Sequence, residues 1–197
     1  MRRRLLASLS ATAAVAASLL IGSAAPATAA DTTAEPTPVA QSAGSTSAEK
    51  IPSELNIPPS DPGYKIVATL RGVGKQVYEC KADGLTYEPA AVPVAVLNTP
   101  RGATVGIHGQ GPFWAHFDGS KVIAALPPLK VVPSADPSKN IPRLLLKAQS
   151  TTGTGGTFSK VGYIQRIDTK GGVAPTACNG TQTAAVDYSA TYVFWAK

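Results

Sequence analysis

The sequence predicts an all-β fold, a single-domain antiparallel β-sandwich or barrel with one disulfide bond. Eighteen glycines and 17 prolines among 197 residues interrupt every long helical pattern. Short apolar segments recur at intervals of roughly ten residues, as they do in sandwiches and barrels. The two cysteines, Cys80 and Cys178, lie far apart without a CxxC motif. In an exported chain such a pair predicts a disulfide that joins an early strand to a late loop.

The first predicted strands lie in the segment before residue 98. Residues 66–70 form an apolar run, and residues 76–80 follow as a second short strand. The Gly-Val-Gly triplet at residues 72–74 lies between them and predicts a hairpin turn. Residues 92–97 predict the next strand.

The central strands flank the strongest turn signal in the chain. Residues 104–108, 113–117 and 121–125 each have the length and apolar content of a strand. Asp118-Gly119 lies between the last two and predicts a tight hairpin.

The late strands have the clearest patterns. Three consecutive leucines at residues 144–146 predict a strand buried on both faces. Apolar residues between 158 and 167 predict another strand, with Gly162 at a bulge. Residues 186–194 alternate with period two over their whole length, as expected of a strand with one buried face.

The first 29 residues have the order of parts of a secretory signal peptide. Arginines occupy positions 2–4, residues 5–21 are rich in alanine and leucine, and Ala27-Thr28-Ala29 offers a cleavage site. An uncleaved anchor is the alternative, although the apolar stretch is short for a membrane span. We therefore expect a secreted, extracellular protein with no stable membrane anchor.

The mature chain divides into a linker and one domain. Residues 30–50 consist of small and polar residues that cannot bury a core, so a disordered linker is expected there. Residues 51–197 contain the large apolar residues and form the predicted all-β domain, which we expect to be a monomer. Without the signal's three arginines the formal net charge falls from +6 to +3. The remaining basic residues are scattered, so nucleic-acid binding is not expected.

Both histidines lie in the segment 108–120, which contains the strongest candidates for a metal site or a catalytic site in the sequence. His116 and Asp118 share a strand face, and His108 could approach across a hairpin to complete a metal site. Ser120 could be drawn as a nucleophile with Asp118 and His108. No metal-ligand or nucleophile-elbow spacing occurs, so structural roles are favoured for these residues. The glycine-rich loops match no nucleotide-binding motif, and we expect no cofactor.

Taken together, the motifs resemble those of the family catalogued as domain of unknown function 3455, secreted proteins of bacteria and fungi. The matching segments are residues 76–80, His108, Gly111-Pro112, Trp114, residues 118–120, 141–142, 144–146, 156–159, 163–166, 169–172, 174–175, Cys178, residues 188–190 and 192–195. Two positions depart from the pattern, since Arg143 stands where an aromatic residue is expected and His116 is not part of it. The resemblance implies no established function.

The shared pattern leaves five polar or aromatic candidates for one ligand-binding surface: His108, Trp114, Asp118, Gln165 and Arg166. We expect Trp114 to stack on a ligand, Gln165 and Arg166 to donate hydrogen bonds, and Asp118 to accept them. The leading hypothesis is a binding or surface-associated module for polysaccharide or cell wall, without catalysis. The alternatives are a small extracellular hydrolase or metal-dependent enzyme that uses His108 and Asp118, and an interaction protein without a small ligand.

Overall fold

The computed structural model describes residues 50–197, all of which belong to one compact unit. The predicted signal peptide and nearly all of the predicted linker lie outside the described residues. A short 3-10 helix (Ser53–Leu55) precedes the strands, and no helix in the described range is long and apolar enough to cross a membrane. The strands are β1 (Lys65–Glu79), β2 (Val92–Asn98), β3 (Thr104–Gly109), β4 (Phe113–His116), β5 (Lys121–Ala124), β6 (Lys130–Val132), β7 (Arg143–Thr152), β8 (Val161–Gly171) and β9 (Thr183–Ala196).

The strands form a closed antiparallel barrel, which confirms the all-β prediction and selects the barrel over the sandwich. The hydrogen-bonded order is β5-β4-β3-β2-β1-β9-β8-β7, and β5 also pairs with β7. This last pairing closes a circuit of eight strands. β6 lies outside the circuit and pairs with the first three residues of β7, whereas β5 pairs with the end of the same strand. Closure leaves few unpaired backbone groups at strand edges.

The predicted hairpin turn at residues 72–74 is wrong, because β1 runs without interruption from Lys65 to Glu79. The two glycines of the triplet serve close packing instead. A Cβ on Gly72 would lie 2.6 Å from the ring of Tyr192, and a Cβ on Gly74 would overlap the carbonyl oxygen of Val94. Glycine in a strand marks such close approaches as well as turns, and sequence alone does not separate the two cases.

Alternation along the strands builds two apolar clusters, one on each side of the barrel wall. The inner cluster includes Leu97, Trp114, Leu146, Tyr192 and Phe194. The outer cluster consists of Leu55, Leu145, Tyr163, Ile167 and Val193, and the segment around the 3-10 helix covers it. Leu145 and Leu146 therefore face opposite sides, which confirms that the leucine run is buried on both faces.

Most other strand predictions are confirmed with small shifts. The Asp118-Gly119 turn joins β4 to β5, and the register of β8 with β9 shifts between Val161 and Tyr163, where the bulge at Gly162 was predicted. Phe158, which was expected in this strand, lies in the turn before it. Its ring is fully buried and packs 4.4 Å from that of Phe194, centroid to centroid.

The predicted disulfide is present between Cys80 and Cys178, whose Cα atoms are 6.0 Å apart. Cys80 follows β1, and Cys178 lies in the connection between β8 and β9. The bond closes a loop over a sequence separation of 98 residues. In the chain-entropy model a loop of this length adds about 4–5 kcal/mol to the free energy of unfolding.

The close approach of β1 to its neighbour predicts that Gly74→Ala is destabilising. The new methyl group would meet backbone atoms of Val94 and Ala95, which cannot rotate away. Overpacking of this kind costs about 1–3 kcal/mol, measurable as the free energy of urea unfolding. Val73→Ala is the matched control, since Val73 is 42% exposed on the same strand. Equal stability of the two variants would contradict the packing role of Gly74.

Candidate functional site

One mouth of the barrel contains a cavity of about 600 Å³, which we call the barrel cavity. It lies inside the wall at the end formed by the β1–β2, β3–β4 and β5–β6 connections. Its volume is in the range of small-molecule sites, about 300–1,000 Å³. Eight-stranded barrels leave room for one small ligand when their interior is not filled by side chains.

The walls of the barrel cavity are mostly apolar. At the rim, β1 and β2 contribute Val77 and Val92, which are opposite each other in the register. Leu144 and Leu146 of β7 and the exposed Leu126 form the other side. Apolar walls of this kind favour a ligand with a substantial hydrophobic part.

His108 and Trp114 form an aromatic stack at the base of the barrel cavity. They face each other across the β3–β4 register, with ring centroids 4.4 Å apart and planes inclined by 7°. Tyr192 meets both rings edge-on, at centroid distances of 5.1 and 5.4 Å. Trp114 is only 1% exposed, and one face of its indole is covered by the imidazole. Trp114 therefore does not provide the open stacking platform that the sequence predicted.

The imidazole of His108 is neutral at physiological pH. Burial lowers its pKa to about 4, and the nearby charge of Arg166 acts in the same direction, against the hydrogen bond with Phe113. His108 Nδ1 lies 2.7 Å from the carbonyl oxygen of Phe113, which only accepts, so Nδ1 must hold the proton. Nε2 then has a free lone pair, as in any neutral imidazole of this tautomer.

Arg166 is the cation of the barrel cavity. It lies opposite Leu144 on β7 and Tyr192 on β9, so its side chain shares their inward face. Nε and Nη2 donate to the carbonyl oxygen of Pro142 at 3.0 and 2.8 Å, and the guanidinium also lies beside the hydroxyl of Tyr192. None of the ion pairs formed within residues 50–197 includes Arg166.

Two residues that line the barrel cavity have buried donors without a partner. Among residues 50–197, Gln76 Nε2 and Trp114 Nε1 donate to no hydrogen-bond acceptor. Gln76 is 4% exposed and lies on the inward face of β1. Its amide lies near the Tyr188 hydroxyl, but the positions of the two groups do not meet the geometric requirements of a hydrogen bond from Nε2. Buried donors of this kind are rare and call for an explanation, such as a bound ligand or water.

Asp118 lies at the opposite end of the barrel from the cavity, in the turn between β4 and β5. Its carboxylate accepts bonds from the backbone N–H and hydroxyl of Ser120, at 2.9 and 2.6 Å. It also accepts from the N–H and hydroxyl of Thr157, at 2.8 and 2.7 Å. Partial burial raises the pKa of Asp118, but these bonds outweigh that effect and hold it well below its usual value. Asp118 thus ties the β4–β5 turn to the β7–β8 connection.

Gln165 lies on the outer face of the barrel wall. Its Nε2 donates to the carbonyl oxygen of Leu55 at 2.8 Å, and its Oε1 accepts from Trp195 Nε1 at 2.7 Å. These bonds hold the N-terminal segment on the barrel. Gln165 and Arg166 are consecutive in a strand, so their side chains point to opposite faces. This alternation was visible in the sequence and already argued against one surface containing both.

The structure therefore divides the five predicted site residues among three places. His108, Trp114 and Arg166 meet in the barrel cavity, whereas Asp118 and Gln165 have the structural positions described above. Sequence analysis did not select Gln76, although the predicted strand at residues 76–80 already placed it on the same face as Tyr78. No local signal showed that this face points into the barrel.

The catalytic arrangements considered from the sequence have no geometric support. The Ser120 hydroxyl donates to Asp118 and accepts from the N–H of Phe158, while His108 bonds to Phe113. His108 and Asp118 belong to opposite ends of the barrel. Within the described part of the chain, no three His, Cys, Asp or Glu side chains are grouped so as to hold a metal ion.

The bonds at Asp118 predict a large loss of stability in Asp118→Ala, about 2–4 kcal/mol in the free energy of unfolding, because several buried or half-buried donors lose their acceptor. Asp187→Ala is the control, since Asp187 forms only an exposed ion pair with Lys75 and its loss should cost at most about 1 kcal/mol. The folded-state pKa of Asp118 is lowered, so its contribution is complete above pH 4 or so and is lost as the pH falls further. Acid titration of urea stability should therefore bring the wild type and Asp118→Ala together.

The low pKa of His108 predicts a stability that decreases in mild acid. Between about pH 6.5 and pH 4 His108 is protonated in the unfolded chain but remains neutral in the folded chain. This difference should lower the free energy of unfolding by about 2–3 kcal/mol over that interval. His108→Gln cannot titrate, and urea unfolding across the interval should give it the shallower pH dependence. Parallel profiles of the two proteins would show that His108 is not buried as neutral imidazole.

Comparison with known proteins identifies a family. The family model described as "Protein of unknown function (DUF3455)" matches residues 85–196, from the loop after β1 to the end of β9. Neither a search of the curated proteins nor a search of the solved structures found a match. The matched segment covers more than half of the chain and includes His108, Trp114 and Arg166. The chain therefore belongs to the DUF3455 family, as the motifs predicted.

Proposed function

We propose that this domain is a binding module that encloses a small, largely apolar molecule in the barrel cavity. The single observation that supports this most strongly is the cavity itself, about 600 Å³ of space inside a closed barrel whose other end is filled by packed aromatic rings. Protein interiors are ordinarily packed to crystal-like density, so retained space of this size favours a ligand.

The polar groups of the barrel cavity are few and convergent. His108, Gln76 and Arg166 come from three different strands and line the same space. A small number of oriented polar groups within apolar walls is the usual composition of a specific small-molecule site. Burial raises the pKa of the Tyr188 and Tyr192 hydroxyls, so both remain neutral donors beside these groups.

A polysaccharide or cell-wall ligand, the class expected from the sequence, is less well supported by this geometry. Glycan stacking needs an exposed aromatic face, and Trp114 is almost completely buried. Catalysis has weaker support still, because a histidine with a pKa of about 4 is a poor general base at neutral pH. We also propose an extracellular location, which the Cys80–Cys178 disulfide supports.

The proposed function predicts saturable, one-to-one binding of a neutral apolar fluorophore such as N-phenylnaphthylamine. Ala90→Trp should weaken this binding by at least about tenfold, because Ala90 is exposed at the cavity rim and an indole there would enter the opening. Ala103→Trp is the matched control. Ala103 is also exposed but lies in the β2–β3 connection at the opposite end of the barrel. Fluorescence titration of the purified protein measures all three affinities.

Three results would overturn the proposal. The first is no saturable binding of the probe to the wild-type protein. The second is equal loss of binding in both tryptophan variants. The third is a melting temperature that rises when soluble wall glycans are added but does not rise with any apolar probe, which would restore the polysaccharide hypothesis. A stoichiometric divalent metal lost in His108→Ala would instead support the enzyme alternative.

A further inference from the structure

We propose that the ligand of the barrel cavity carries a carboxylate, which binds to the guanidinium of Arg166 while its apolar body lies against the leucine and valine walls. This inference rests on the proposed function and specifies the chemical class of the ligand. The arguments are the orientation of Arg166, its missing counter-ion and the unpaired donors beside it.

The guanidinium of Arg166 is fixed with one edge still available. Nε and Nη2 both donate to Pro142 O, which occupies the edge that these two nitrogens share. The other edge, formed by Nη1 and the second hydrogen of Nη2, has no assigned hydrogen bond within residues 50–197, and the Tyr192 hydroxyl lies beside the guanidinium. Two parallel N–H groups on such an edge match the two oxygens of a carboxylate. The bonds to Pro142 also restrict the side chain, so a ligand loses less freedom by binding to it.

The charge of Arg166 has no counter-ion within residues 50–197. Arg166 is half-buried on the inward face of β8, next to Leu144 and Tyr192. Burial lowers the pKa of His108 and raises that of Tyr192, and the charge of Arg166 adds to the first effect and opposes the second. A cation with apolar neighbours is costly unless it is paired, so an anion in the cavity offsets its desolvation.

The unpaired donors of Gln76 and Trp114 also favour an anionic ligand, because an anion supplies hydrogen-bond acceptors. Both are N–H groups that need an acceptor, and both residues line the cavity that contains Arg166. A carboxylate is an acceptor only, with more lone pairs than a single guanidinium edge can satisfy. The neutral state of His108 means that the cavity has one cation rather than two, which suits a singly charged head group.

Two glutamates also line the barrel cavity, and their positions affect where an anionic head group can bind. Glu79 and Glu88 are both exposed, in or beside the β1–β2 connection at the rim. Their charges are screened by water, while Arg166 lies on the inner wall. An anionic head group is therefore most stable beside Arg166, with the apolar body against the leucine and valine side chains.

The test compares decanoate with decanol as competitors of the bound neutral fluorophore in the purified protein. The two have the same chain length and differ in the head group. We expect decanoate to displace the probe at a concentration at least about tenfold lower than decanol. In Arg166→Gln this preference should fall to within about twofold, with the affinity for decanol unchanged.

Arg143→Gln is the matched control for the arginine substitution. Arg143 also donates Nε and Nη2 to a proline carbonyl, that of Pro133, but it does not line the barrel cavity. This variant should keep the preference for decanoate. If Arg166→Gln does not fold, decanoate and its methyl ester are compared in the wild-type protein, and only the free acid should bind tightly.

Each outcome separates this inference from the proposed function. Equal displacement by decanoate and decanol, or equal binding of acid and ester, overturns the carboxylate while an apolar binding site stands. A preference for decanoate that survives in Arg166→Gln overturns the role of Arg166. A fluorophore that binds but is displaced by neither compound also overturns the inference. No fluorophore binding at all overturns both proposals.

Discussion

The close contact of β1 with its two neighbours is the constraint on which the rest of this structure depends. Gly72 leaves the space that the ring of Tyr192 occupies, and Gly74 lets the backbone of β2 approach. Because Tyr192 lies across β1, its ring meets the His108–Trp114 stack edge-on. Larger side chains at the two glycines would move β1 outward and separate these rings. Strand packing and the geometry of the cavity therefore have the same origin.

Because side chains alternate along a strand, neighbouring residues of β8 have different roles on the two sides of the barrel wall. Arg166 faces inward with Leu144, and its neighbour Gln165 faces outward beneath the N-terminal segment. The outer bonds of Gln165 satisfy a buried polar side chain and fix this part of β8. A rigid strand holds Arg166 at a constant depth, which a loop would not do. The bonds that fix this part of β8 through Gln165 are thus on the opposite face of the wall from the Arg166 side chain.

Most of the fold was predictable from the sequence because its signals are local. The Asp118-Gly119 turn, the leucine run and the alternation of residues 186–194 each depend on neighbours in the chain. The Gly72–Gly74 triplet was misread because its meaning depends on Tyr192 and Val94, which are distant in sequence. The same holds for the site. Of the residues that the motifs grouped, His108, Trp114 and Arg166 line one cavity, whereas Asp118 accepts a hydrogen bond from Thr157, a contact between residues distant in sequence.

The two ends of the barrel differ in how completely their polar groups are hydrogen-bonded and their interior is filled. At the closed end, Asp118 satisfies the donors of two connections, and Phe158 and Phe194 fill the interior. At the open end, the disulfide joins the end of β1 to the β8–β9 connection, while among residues 50–197 two buried donors have no acceptor and Arg166 has no counter-ion. An unsatisfied end is costly, and folded chains keep such groups where function requires them. Since the closed end and the disulfide already fix the strands, the cavity is formed before the proposed ligand binds, and a ligand that supplies an acceptor there would raise the free energy of unfolding.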